Sequence, residues 1–187
     1  MKLSVIVLAL LISAGAYAQT YQVSADESVL EWKGEKIVGN SHKGTLQFSE
    51  GTFKVKKGVL VSGDFVIDMT TITESNGVTK LEGHLKSDDF FGVEKYPTAK
   101  LKIKSSKKGD NGSLEVTADL TIKETTNEVT FAALMQERGD GIMATAELIF
   151  DRSKFDVRYG SNSFFDNLAD KAISDDIKLN VKLKASK

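Results

Sequence analysis

The chain has 187 residues, no cysteine, and 25 Lys and Arg against 26 Asp and Glu. That near-balance argues against an electrostatic nucleic-acid binder. The absence of thiols excludes disulfide stapling and the usual cysteine-based metal sites, so stability has to come from apolar burial.

Residues 1–18 read as a removable leader. Lys2 supplies a short positive start, an apolar run extends from Leu3 to Ile12, and Ala16-Tyr17-Ala18 fits a small-x-small cleavage site. The run is too short for a spanning helix. With no cysteine near the cut, an anchor on a lipidated cysteine is not expected. The remaining residues 19–187 suit one domain with one core, exported to the periplasm or secreted.

Residues 21–28 form an entry segment. Residues 29–37 predict a strand with Leu30 and Trp32 on one face and Glu31, Lys33 and Glu35 on the other. Two short strands, 45–48 and 52–55, are expected around a turn at Ser49-Glu50-Gly51. Over 59–69, Val59, Val61, Phe65, Ile67 and Met69 recur at a period of two, the mark of a strand with one buried face.

The alternation then stops. Thr79 with Glu82 three residues on has the form of a capping box, opening a helix over about 80–86 that puts Leu81 and Leu85 on one side. Ser87-Asp88-Asp89 caps a further turn carrying Phe90 and Phe91, and Pro97 ends any helix before it. A long non-strand insertion in a β pattern is where a plug, lid or pocket mouth belongs.

From Thr98 the strands resume. Leu101 and Ile103 alternate with lysines, and Lys107 to Gly112 is a hairpin loop around Asn-Gly. Leu114, Val116, Ala118, Leu120 and Ile122 form a strict inward row, a turn is expected at Thr125-Thr126-Asn127, and Val129, Phe131, Ala133 and Met135 form the next row. Arg138-Gly139-Asp140-Gly141 turns into a row of Ile142, Ala144, Ala146, Leu148 and Phe150. Residues 151–174 make a second long break, with a short helix expected over 164–169 capped by Ser163. Ile177, Leu179, Val181 and Leu183 close the chain as a strand with a lysine-rich outer face. Lysine rows of this kind are solvated faces that blunt edge pairing, or else attract an anionic surface.

About eight such strands joined by hairpins, with no βαβ alternation, predict an all-β fold: an antiparallel eight-stranded barrel with short helices in two long loops. The small inward residues Ala118, Ala133, Ala144 and Ala146 leave volume that something has to fill. Two histidines are too few for the common metal sites, and no nucleophile elbow or phosphate loop occurs. No metal is expected, and a binder is expected rather than an enzyme. His84 suits either the wet side of a helix or a hydrogen bond to a ligand head group.

The string HLKSDDFFGVEKYPTAKLKIKS (residues 84–105) resembles the signature of the YceI-like lipid- and polyisoprenoid-binding family. The matching positions are His84, Leu85, Ser87, Asp89, Phe90, Phe91, Val93, Tyr96 and Pro97. Val66-Ile67-Asp68, Ala118-Asp119-Leu120-Thr121 and Asp151-Arg152-Ser153-Lys154-Phe155 resemble further family segments, so the likeness spans residues 19–187. Leu81-Glu82-Gly83 stands where the family commonly carries an Arg-Asp pair. The resemblance implies an exported, extended lipocalin-like barrel holding a polyisoprenoid or similar amphiphile. It implies no cofactor beyond a bound isoprenoid or quinone-like molecule, at most transient membrane contact, and compatibility with a homodimer. The ligand-binding residues it nominates, together with the inward rows, are Trp32, His42, Phe48, Phe65, His84, Leu85, Asp89, Phe90, Phe91, Phe131 and Phe155. Two rival readings are an envelope interaction or stress module that takes small amphiphiles or a protein partner, and an enzyme using His84 with Asp88 or Asp89.

Overall fold

The computed structural model describes residues 17–187; the expected leader lies outside these except for its last two positions. Nine antiparallel strands form one closed sheet: β1 (Gln19–Val23), β2 (Val29–Glu35), β3 (Ser41–Lys56), β4 (Val59–Asp68), β5 (Thr98–Lys108), β6 (Leu114–Ile122), β7 (Thr125–Arg138), β8 (Gly141–Asp151) and β9 (Asp176–Ser186). The β3–β4 pairing closes the ring. β1 and β2 both lie between β3 and β9, one above the other, so together they make a single stave. The barrel therefore has the eight-stave architecture expected. The entry segment is itself partly strand: Tyr21 is buried in β1.

The inward rows of β5, β6, β8 and β9 fall where alternation puts them. Two departures have one cause, a shift of strand phase that sequence periodicity does not follow. β3 is one strand of 16 residues rather than two. Phe48 pairs with Ile67 and Glu50 with Val66, leaving Ser49 as a bulge. That extra residue moves the inward set from Leu46 and Phe48 to Gly51, Phe53 and Val55. A second bulge leaves Val61 over between Ser62 and Leu60, so Val61 points to solvent and Leu60 turns in. The turn between β6 and β7 is Lys123-Glu124, with Lys123 at φ 54°, and residues 125–127 belong to β7.

The connections sort by end. The tight β3–β4, β5–β6 and β7–β8 hairpins and both ends of the sheeted chain lie at one end of the barrel. The long links 69–97 and 152–175 lie at the other, the mouth. Helix α1 (Thr79–Lys86) stands in the first link and buries Leu85. Its expected cap is not made. Thr79 is already helical, and the Glu82 carboxylate accepts from the Glu74 backbone N–H instead (2.8 Å). The second link carries only 3-10 turns, Arg152–Phe155 and Ala169–Lys171. No helix forms over 164–169, where Asn167 and Ala169 take positive φ and leave Phe164 and Phe165 exposed.

Candidate functional site: an apolar hollow and its mouth

The barrel interior is not filled by its own side chains. Inward residues of β4 and β6 are buried, but Phe131, Ala133, Ala144, Ala146, Leu179 and Val181 on β7, β8 and β9 are only half-buried although they face inward. They look into open space. A hollow of about 210 Å³ lies beneath the mouth and another of about 110 Å³ lies deeper. Leu30, Ile67, Leu120 and Leu179 line both, so the two chambers meet at an aliphatic waist.

The upper chamber is roofed by the first long link. Leu81, His84 and Leu85 from α1 and Phe90 and Phe91 from the following turn form its lid, and Trp32, His42, Met69, Ile72, Tyr159 and Ile173 complete the rim. The turn is fixed by its own backbone. Ser87 Oγ donates to the His84 carbonyl (2.7 Å), and the Phe91 and Val93 amides donate to Leu85 and Lys86. His84 presents Nε2 to Asp89 Oδ2 (3.1 Å) and stands edge-on to the rings of Phe90 (5.0 Å) and Tyr159 (4.5 Å). The imidazole thus joins the two long links across the mouth, with one polar edge in water and the ring body in an aromatic clasp.

Trp32 donates its indole N–H to the Thr73 carbonyl (3.0 Å). Residue 44 has to be glycine here, because a Cβ would sit 1.7 Å from that same oxygen. Residues 73–75 run on where β4 ends, their amides bonding to the Thr45 and Lys43 carbonyls of β3. They carry Glu74, buried at 3 % exposure. Burial pushes its pKa up, but hydrogen bonds from the Val78 and Asn76 amides, from His42 and from the Asn76 side chain hold it below the ordinary carboxylate value. His42 Nδ1 lies 3.4 Å from Glu74 Oε1, so both histidines at the mouth face a carboxylate.

The nominated residues sort as follows. Trp32, His42, His84, Leu85, Phe90 and Phe91 line the upper chamber; Phe48, Phe65 and Phe131 line the lower. Asp89 lines neither. It is exposed and acts on the site through His84. Phe155 lines neither as well, and its place explains why. The β7–β8 ladder ends at Ala132 and Glu147, so residues 125–131 lack a partner on that side. The Arg152–Phe155 turn covers the gap: Asn127 Nδ2 donates to the Lys154 carbonyl (2.9 Å), and Phe155, 1 % exposed, packs edge-on to Phe150.

Alternation gave no hint of Glu74 or of what Arg152 does. Arg152 is 1 % exposed and donates to the carbonyls of Val157, Tyr159, Ile173 and Ser174, with Asp175 at 3.3 Å. Burial lowers its pKa while Asp175 and Asp151 pull it back up. Its donors are spent on the second link, so it fixes the rim rather than greeting a ligand. The family-like Asp151-Arg152-x-x-Phe155 segment marks Arg152 in the sequence but does not say what it holds.

The family model for the YceI-like domain matches residues 21–185. The chain belongs to the YceI-like family. A UPF0312 protein of Pseudomonas putida strain F1 is 29% identical over 132 residues, 69% of each chain. The YceI-like barrel described here also resembles the crystal structure of Burkholderia cenocepacia BcnA, with a TM-score of 0.74 at 20% identity over 88% of this chain and 99% of that one. A polyisoprenoid binding domain from Saccharophagus degradans, implicated in plant cell wall breakdown, matches with a TM-score of 0.66 at 15% identity over 89% and 97%.

Proposed function

We propose that the protein is an exported carrier or sequestering barrel that shelters the apolar tail of a polyisoprenoid or similar amphiphile, with the head group left at the mouth. The observation that carries this reading is the two-chambered hollow, walled almost wholly by aliphatic and aromatic side chains and opening beneath a lid. Apolar walls without polar partners do not hold ordered water, whereas an apolar chain gains from burial there. The polar groups gather at the rim, at His42, His84 and Tyr159, where a head group would lie. The likeness to a polyisoprenoid binding domain supports the same reading. Export is supported by the leader-like residues 1–18, and transient membrane contact by Ile37, Val38, Val78, Phe164 and Phe165, exposed on the mouth loops. Binding fits the site better than catalysis: the Ser87 hydroxyl, close to His84 in the chain, is committed to the helix end.

Native mass spectrometry of protein purified from an envelope fraction without denaturant tests the reading. A discrete adduct that organic extraction removes is the expected result. A bare mass from every preparation, and again after incubation with total lipid extract, would sink it.

A further inference from the structure

The lower chamber is bounded on its β4 side by an aromatic ladder. Phe65 lines the lower chamber from β4, stacks on Phe53 (6.1 Å) and leans on Phe48 (6.3 Å), and Phe53 in turn stacks on Tyr21 (5.5 Å). This ladder descends toward the closed end. Two glycines make room for the Phe65 ring: a Cβ at Gly63 would come within 2.9 Å of it and one at Gly51 within 3.1 Å. Across the barrel, Ala133, Ala144 and Ala146 are small, and the open space lies against them. Nearer the closed-end hairpins, Ile142 and Ala185 are buried in the core that floors the barrel.

The space above that floor is limited. An apolar cavity of ~150 Å³ takes one benzene ring. By that measure, chambers of about 210 and 110 Å³ accommodate roughly a dozen carbons, far fewer than the tens in a long polyprenyl chain. We propose that this barrel selects amphiphiles with a short apolar tail, of roughly a dozen carbons or two to three isoprene units, and that Phe65 is the residue that sets the limit. The inference rests on the tail-binding reading and narrows it to a substrate class. A tail enters past His84 and Phe90, crosses the waist at Leu30, Ile67, Leu120 and Leu179, and stops against Phe65 with its far end beside Ala144. Carbons beyond that number remain at the mouth and add no burial.

Calorimetric titration of the delipidated full chain with n-alkyl phosphocholines of about 6 to about 20 carbons, below their micelle limits, tests this. Affinity is expected to rise by about fourfold per added methylene and to level off near a dozen carbons. Phe65→Ala should move the plateau to longer tails and Ala144→Leu to shorter ones. Ala144→Leu fills space rather than emptying it, so it carries the test alone should Phe65→Ala fail to fold. Affinity that climbs without a plateau in the parent chain, or a plateau that neither variant moves, overturns the length limit while leaving tail binding intact. A flat titration at every length overturns tail binding and the limit together.

Discussion

The two ends of this barrel are built on opposite principles. At the closed end Tyr21, Phe53 and Phe65 stack along one wall, Ile142 and Ala185 are buried, and the connections are tight hairpins. At the mouth stand the two long links, and they are held by directed polar bonds: Trp32 to Thr73, Glu82 to Glu74, and Arg152 to four carbonyls. One end is sealed by contact area, which is non-directional and cooperative with the whole core. The other is positioned by hydrogen bonds, which fix a geometry and can be released locally. A barrel that has to admit a ligand without unfolding needs that division.

The contrast predicts how far damage spreads. Phe53→Ala removes a ring stacked on two others and should cost about 3–5 kcal/mol of global stability, seen as a lowered midpoint in a single denaturant transition. A separate early phase at the closed end would contradict its membership in the main core. Arg152→Met should cost less globally, about 1–3 kcal/mol for carbonyls left without donors, because the mouth link can open to water and relieve them. Its sharper sign is local. Amide exchange should quicken over 157–175 while the β4–β6 amides stay protected. Uniform loss of protection would mean that the mouth is as much part of the global core as Phe53 is.

What the sequence showed follows the same division. The walls were legible because an inward face imposes a period of two, and β5, β6, β8 and β9 repeat it cleanly. Legibility failed wherever the phase slipped by a residue: Ser49 looked like a turn, and Val61 looked inward while Leu60 looked outward. Alternation records the order of side chains but not the ladder across from them, and a bulge is a property of the pair. At the mouth the apolar lid residues His84, Leu85, Phe90 and Phe91 stood out by density and by resemblance. Glu74 did not, and Arg152 stood out by resemblance without its role, since their partners are loop carbonyls and amides whose positions no local pattern encodes. The second link was misjudged for the same reason. Phe164 and Leu168 have helical spacing, but the loop hangs from Arg152 and takes αL residues instead.

The smallest expected effect isolates one polar anchor of the mouth. Glu74 is held ionised by donors that exist only in the folded chain, so its folded pKa lies below its unfolded one. Above the unfolded value, ~4.3, the whole contribution is present; it fades as acid takes the pH down through the folded value, because the protonated carboxyl no longer rewards those donors. Glu74→Gln should therefore lower the melting temperature at pH 7, and the gap between variant and parent should narrow below about pH 4. Phe53→Ala removes stacking on Tyr21 and Phe65 and no bond to a carboxylate, so its gap should stay constant over the same range. Parallel pH curves for Glu74→Gln would mean that the Glu74 oxygens serve the mouth as acceptors whatever their charge, and the buried charge holding the rim would then be that of Arg152.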